Sequence, residues 1–566
     1  MKATRTIVSI LLTLIFIMGM VSCAPAAPAA PAEPAAPAAP AAPAEPAAPA
    51  PTDAPAPAEP AAPAEPAVLI VAMRLDDVVT LDPGWAGETT NLMIHINTYD
   101  TLTDVRPGDL TNIVGRLAES WENNEDFTEF KFKLRPGLKF ASGNPITAAD
   151  VAFSWNRMLK LAGAPAWNLD GVATVEAVDE LTVKVTTSDS LPAFYASAAN
   201  PSLGILDSKL VKEHGGTDAE DAATTDTAKD WLDQNSAGSG PYVLTRWAPK
   251  SEIVLEANPN YWKDAPKYAK VVIKHVEDPT TQLQMLQTGD ADMIGNLDSD
   301  LVEIAKADPN ITITVDQTLD MNYLAMTSNC KTELSPESSA LLCDKKIRQA
   351  VAYAIDYEGL IQSVLNGYGT RAPSIIPLGI LGVDEGKVWS RDVEKSKALL
   401  AEAGHADGIK LDYYYASNPT REIVAAKIKS DLAEVGIDVT LNPMEQSVYL
   451  SEMRAQKLPM AQGGWTPDYL DPTMWTDYFG LGDRSVAFRM WYQNPKATEL
   501  AQTIRTTMDR AVREKAIQDI QEIFIEDMPY TMLWQSQAIH ANRSSVKGFA
   551  FHPVWFVDFS MLAPAE

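Results

Sequence analysis

Ten consecutive residues hold the densest mixture of chemistry in the chain: Gly463, Gly464, Trp465, Thr466, Pro467, Asp468, Tyr469, Leu470, Asp471 and Pro472. Two glycines and two prolines among so few positions predict a shaped loop, neither helix nor strand. Trp465 and Tyr469 offer flat apolar faces, and Asp468 and Asp471 offer negative charge. Together they would suit a pocket that grips something partly apolar and partly cationic. Read in isolation, such a loop is a structural turn first, and its surroundings decide whether it is more.

Catalytic constellations are missing from the sequence. It contains no G-x-S-x-G nucleophile elbow, no H-E-x-x-H, no phosphate-cradling G-x-x-x-x-G-K and no calcium loop. The six histidines (His95, His214, His275, His405, His540 and His552) are scattered, with no pair at ligand spacing, so neither a metal nor a cofactor is expected. Asp468 and Asp471 could serve as acid and base of a secreted hydrolase, but carboxylates are abundant in this chain and the pairing is ordinary.

The elements that must position the loop belong to a long chain. At 566 residues it exceeds one hydrophobic core and should hold two or three domains. A formal net charge of −29 argues against nucleic acid as a partner, because phosphate would be repelled. Lys2 and Arg5 precede an apolar run, residues 7–20, that is short for a membrane span and reads as an export signal. It ends in Ser22-Cys23 and resembles a bacterial lipoprotein signal, in which Cys23 becomes the lipid-bearing residue. Met20 departs from the leucine usual three positions before that cysteine. Residues 24–67 are almost wholly Ala and Pro; they cannot bury enough apolar surface to fold, and they favour extended polyproline II. Such a tether reaches on the order of 130 Å. Cys330 and Cys343 remain as an even pair in an exported protein and flank a polar stretch, residues 331–339, that reads as a loop; a disulfide is expected.

Residues 68–72 read as a buried strand, and Phe130, Phe132 and Leu134 alternate onto one strand face. Thr147 and Asp150 announce a helix start, and residues 172–187 a hairpin. Later the pattern turns to helix, glycine, strand, repeated at Gly404 and Gly436, which signals α/β layering. Residues 496–526 predict one or two helices and residues 530–534 a buried strand.

Several blocks now align with one family. Residues 117–121 (LAESW), 130–140 (FKFKLRPGLKF), 143–151 (GNPITAADV), 238–242 (GSGPY) with 258–262 (NPNYW), 344–350 (DKKIRQA) with 354–356 (AID), and 398–404 with 432–437 before the loop follow in order from residue 68 to the end. In this the chain resembles the extracellular solute-binding proteins of the peptide and nickel group, family 5, that feed ABC importers. The resemblance implies an α/β fold of the large, class II periplasmic-binding type, with two lobes, an extra inserted domain and a hinge. Lobe I would comprise residues 68–110, 239–330 and 540–566, the inserted domain 111–238, and lobe II 331–539. It also implies a monomer anchored to the outer face of the cytoplasmic membrane, in periplasm or at the cell surface, that hands a peptide or other small ligand to a permease. Peptide-binding relatives hold the ligand's α-ammonium with an aspartate at the position of Asp468. Carried over, Asp468 would pair with an ammonium and Trp465 and Tyr469 would line the pocket, with Tyr415, Glu88 and Thr89 facing the same cleft. The arginine that dipeptide-specific relatives offer to the ligand carboxylate has no counterpart here: Tyr415 stands in about that place, and the nearest arginine is Arg421. Strict dipeptide length selection is therefore not expected. Oligosaccharides are the alternative ligand, with Tyr413, Tyr414, Trp465 and Trp475 as stacking surfaces.

Overall fold

Two strands, the longest among the described residues, organise the structure. Ile311–Met326 and Tyr530–Arg543 pair antiparallel, from Ile311 opposite Arg543 to Ala325 opposite Tyr530. The ladder is broken between Gln317 and Met321 and again between Asn322 and Tyr323. On one side of this break Met321–Met326 pairs with Met460–Trp465, followed outward by Ile409–Ala416 and Ile437–Met444. On the other side Tyr530–Arg543 continues to Met293–Ile294, then Val68–Met73, Lys270–His275, Glu252–Ala257 and Tyr242–Ala248. The two crossing strands thus carry one sheet through both halves of the molecule, and the irregular stretch between them is where it can bend. This computed structural model describes residues 67–386, 388–507 and 509–565. The expected signal peptide, its Cys23 and residues 24–66 of the tether lie outside the described residues. Among the described residues no helix is long and apolar enough to cross a membrane.

A separate four-stranded antiparallel sheet, Ala118–Asn123, Glu129–Leu134, Thr182–Thr187 and Val172–Ala177, occupies part of the first half. Phe130, Phe132 and Leu134 fall on its buried face, as their alternation predicts, and pack with Trp155 and Met158 of the helix Ala148–Leu161. Asp150 starts that helix by accepting hydrogen bonds from the Thr147 amide and hydroxyl, both at 2.8 Å. In the second half, Pro419–Ala433 ends before Gly436, whose φ of +89° is open to glycine at little cost, and Ile437 then enters the sheet.

The structure departs from the sequence reading at three places here. The strand Ile311–Met326 is not announced by the sequence pattern, and the strand expected over residues 530–534 runs on to Arg543. Cys330 and Cys343 are joined, but the segment between them holds the helix Pro336–Leu342 where a loop was expected, begun by a proline at its first turn. The glycine-rich loop itself begins later than expected, because Gly463, Gly464 and Trp465 belong to the strand Met460–Trp465.

Gly463 is required there by packing. It lies opposite Tyr323, whose ring is buried against Phe479 and Tyr530. A Cβ at Gly463 would come within 2.2 Å of that ring. Gly463→Ala is expected to displace Tyr323 and lower stability by about 1–3 kcal/mol, the usual cost of overpacking, measured by urea unfolding.

Candidate functional site

A cavity of 420 Å³ opens where the first-half strands end and the two crossing strands pass. Thr89 and Met93 form one wall, at the start of the helix Thr89–Thr98; Phe551 and Phe556 form another. Asp320 and His540 come from the two crossing strands, Asp320 from the broken part of the ladder. Ligand crevices in open α/β sheets form at such strand ends. Among the described residues the Asp320 carboxylate accepts one hydrogen bond, from Thr466 Oγ1 at 2.7 Å. Burial raises its pKa, and the Thr466 bond only partly offsets that. His540 is 2% exposed; among the described residues neither ring nitrogen makes a hydrogen bond, although Asp316 Oδ2 stands 3.8 Å from Nε2. Burial pushes its pKa down to about 4, the nearby Gly295 backbone opposing, so the ring is neutral at physiological pH.

Thr466 ties this chamber to the loop that follows Trp465. Within that loop the carboxylates have opposite roles. Asp471 accepts from the Thr473 amide and hydroxyl, at 3.0 and 2.7 Å, and pairs with Arg513. Burial would raise its pKa, yet Arg513 and Thr473 hold it below the ordinary value. It is framework for the start of the helix Thr473–Gly480. The Asp468 carboxylate, half-buried, has no hydrogen bond or ion pair among the described residues, and burial alone pushes its pKa up to about 7. Its backbone carbonyl accepts from Asn200 Nδ2 at 2.7 Å, so the loop touches the segment beside the four-stranded sheet. Arg484 faces Asp170 across the same boundary at 3.6 Å. The two halves of the molecule are in contact around this loop.

The other expected site residues are placed unevenly. Trp465 lies against Tyr478 and Phe479, with ring centroids 4.8 and 5.8 Å away, and its Nε1 has no partner. Tyr469 sits beside Thr473 and lines a small gap with Trp167 and Arg484. Thr89 reaches the large chamber, but Glu88 turns its carboxylate back onto Asn91 Nδ2 at 2.7 Å and the Gly87 amide. Tyr415, expected in the cleft, is 4% exposed and packs against Tyr413 inside the second-half core. Period two along Ile409–Ala416 puts both tyrosines on the face covered by helices. Tyr413 and Trp475 are fully buried and Tyr414 nearly so, which removes three of the four stacking surfaces expected for a sugar chain and leaves the half-buried Trp465. Asp320 and His540 escaped the sequence reading; the one local signal was polar residues interrupting an otherwise strand-like alternation.

Residues 112–485 match the family described as bacterial extracellular solute-binding proteins, family 5 Middle. The chain belongs to that family. Over 493 residues, 86% of this chain and 92% of the relative, it is 29% identical to the probable D,D-dipeptide-binding periplasmic protein DdpA of Escherichia coli (strain K12). It is 27% identical to heme-binding protein A of Haemophilus influenzae (strain ATCC 51907 / DSM 11121 / KW20 / Rd) over 490 residues, 81% of this chain and 86% of that one. Among solved structures, the ABC transporter-associated periplasmic binding protein DppA from Helicobacter pylori, in complex with the peptide STSA, superposes with a TM-score of 0.70 at 24% identity, covering 88% of this chain and 98% of the other. The fold is therefore the two-lobed periplasmic-binding type. The ligands named for these family 5 relatives differ, so the ligand class has to be argued from the site.

Proposed function

We propose that this protein is the substrate-binding lipoprotein of an ABC importer, capturing extracellular peptides between its lobes and delivering them to a membrane permease. The observation that carries the ligand class is Asp468: a half-buried carboxylate without a partner, on the loop where the two halves meet. Desolvating a charge with nothing opposite it is costly, and an arriving α-ammonium removes that cost by pairing with it. Trp465 supplies an apolar wall beside it, and Thr89 belongs to the far side of the cleft. Glu88 and Tyr469 act through local packing, and Tyr415 has no part in the site. Without a committed partner for the ligand carboxylate, peptides longer than two residues fit the reading.

Lobe I is taken as residues 68–110, 239–330 and 540–566, the inserted domain as 111–238 and lobe II as 331–539, with the crossing strands running between the lobes. Cys23 carries the lipid, and residues 24–67 tether the binding domain to the outer face of the membrane. The protein works as a monomer and without catalysis, since Asp471 is committed to Arg513 and leaves Asp468 no acid–base partner. Titration calorimetry with trialanine and longer alanine peptides tests the proposal, together with mass spectrometry of ligand retained on purification. Micromolar or tighter binding of these peptides is the expected result. Heat from cello-oligosaccharides or mannan-oligosaccharides and none from peptides would overturn it.

A further inference from the structure

The 420 Å³ chamber between the lobe I strand ends and the crossing strands holds features that a pocket tolerant of any side chain does not need. Asp320 offers one carboxylate oxygen free of hydrogen bonds, since Thr466 occupies only Oδ1. His540, 2% exposed, lines the chamber; among the described residues neither ring nitrogen makes a hydrogen bond, and Nε2 stands 3.8 Å from Asp316 Oδ2. Phe551 and Phe556 face it with aromatic rings, and both pack around His540 at centroid distances of 4.7 and 5.1 Å. The one arginine at the chamber, Arg74, is 60% exposed and paired with Asp76 at 3.1 Å, so its charge is engaged at the rim. A half-buried carboxylate and a buried imidazole beside aromatic faces match a planar cation: the carboxylate and a neutral imidazole nitrogen accept N–H groups while the rings stack on the flat face.

Building on the peptide-binding reading above, we infer that this chamber receives a cationic side chain of the bound peptide, a guanidinium in preference to an ammonium, with Asp320 as its charge partner and Phe551 and Phe556 as its walls. Asp320 is then a specificity-determining residue, distinct from Asp468 on the loop. Its placement in the broken part of the crossing ladder also makes it a group that both lobes approach, because its existing partner Thr466 comes from lobe II.

The test uses the purified chain and trialanine in which arginine replaces each alanine in turn, each peptide matched by its citrulline counterpart. Citrulline keeps the shape and removes the charge. At one of the three positions arginine should bind at least about tenfold more tightly than citrulline, the scale of a close interfacial charge pair. In Asp320→Asn that ratio should fall to about one, because asparagine can still accept from Thr466 while carrying no charge. Equal affinities for arginine and citrulline at every position in the unmodified protein would overturn the inference, as would a ratio unchanged by Asp320→Asn. Trialanine binding with no arginine preference sinks this inference alone. No binding by any peptide sinks the proposed function, and the inference with it.

Discussion

Replacing Asp468 with asparagine is expected to weaken peptide binding by about 30-fold or more, the lower end of what removing one partner of a buried charge pair costs. The isosteric amide leaves the loop's shape in place, so circular dichroism and the unfolding midpoint should change little. The more searching measurement is the pH profile. In the free protein the Asp468 carboxylate titrates near 7, raised by burial. An ammonium pairs with the ionised form only, so binding lowers that pKa and releases a proton below neutrality. Affinity should therefore rise with pH, by roughly 50-fold between pH 5 and pH 7 for a pKa of about 7, and level off near pH 8. Calorimetry in two buffers of different ionisation enthalpy would detect the released proton, and Asp468→Asn should flatten the profile. Stability runs the other way. A carboxylate whose folded pKa is raised is stabilising only while protonated, so its contribution is lost as pH climbs from about 4 to above 7. Asp477, fully buried and likewise pushed up to about 7, adds the same slope to stability. Affinity and stability should consequently respond differently to Asp468→Asn. A pH-independent affinity in the unmodified protein would remove Asp468 from the ammonium site.

The order of elements was legible wherever one local rule governed them. Asp356 accepts from the Gly359 amide at 3.0 Å and caps the helix Tyr357–Leu365, as its position suggests, and Gly289 ends Pro279–Thr288 in a left-handed conformation. The crossing strands were not legible, although Ile311, Ile313 and Val315 alternate well. Past Val315 the strand carries Asp316, Gln317 and Asp320, and its partner carries Gln535, Gln537 and His540. Polar residues at these positions erase the apolar period by which strands are recognised. The site divides the same way. Asp468 stands out as a candidate because its loop has a compositional signature. The chamber could not, because Thr89, Asp320, His540 and Phe551 are brought together only by pairing strands more than 200 residues apart. Tyr415 was misplaced for a simpler reason: alternation says which strand residues share a face, and not which face meets the ligand.

The second large effect is expected far from the ligand. Arg157, on the helix Ala148–Leu161, is fully buried between two carboxylates. It donates to Asp82 through Nη1 and Nη2 at 2.8 and 2.7 Å and to Asp226 through Nε and Nη2 at 2.7 and 2.9 Å. Asp226 is thereby held below its ordinary pKa despite burial, the guanidinium outweighing desolvation. Arg157→Met fills the volume and removes the cation, leaving two buried acids facing each other. Breaking a buried ionic cluster in this way costs about 3–5 kcal/mol. Urea unfolding at pH 7.5 should show a loss of that size, and at pH 5 a smaller one, since a proton shared between the facing acids relieves their repulsion. A loss that grew towards acid pH would contradict this account. The consequence extends to binding because of where Asp82 sits. Its Oδ1 also accepts from the Gly84 amide at 2.9 Å, shaping the turn that leads into the helix Thr89–Thr98. The first residue of that helix edges the large chamber. A variant with a loosened turn should therefore bind peptide more weakly even where it remains folded, with the deficit largest for peptides whose side chain enters the chamber.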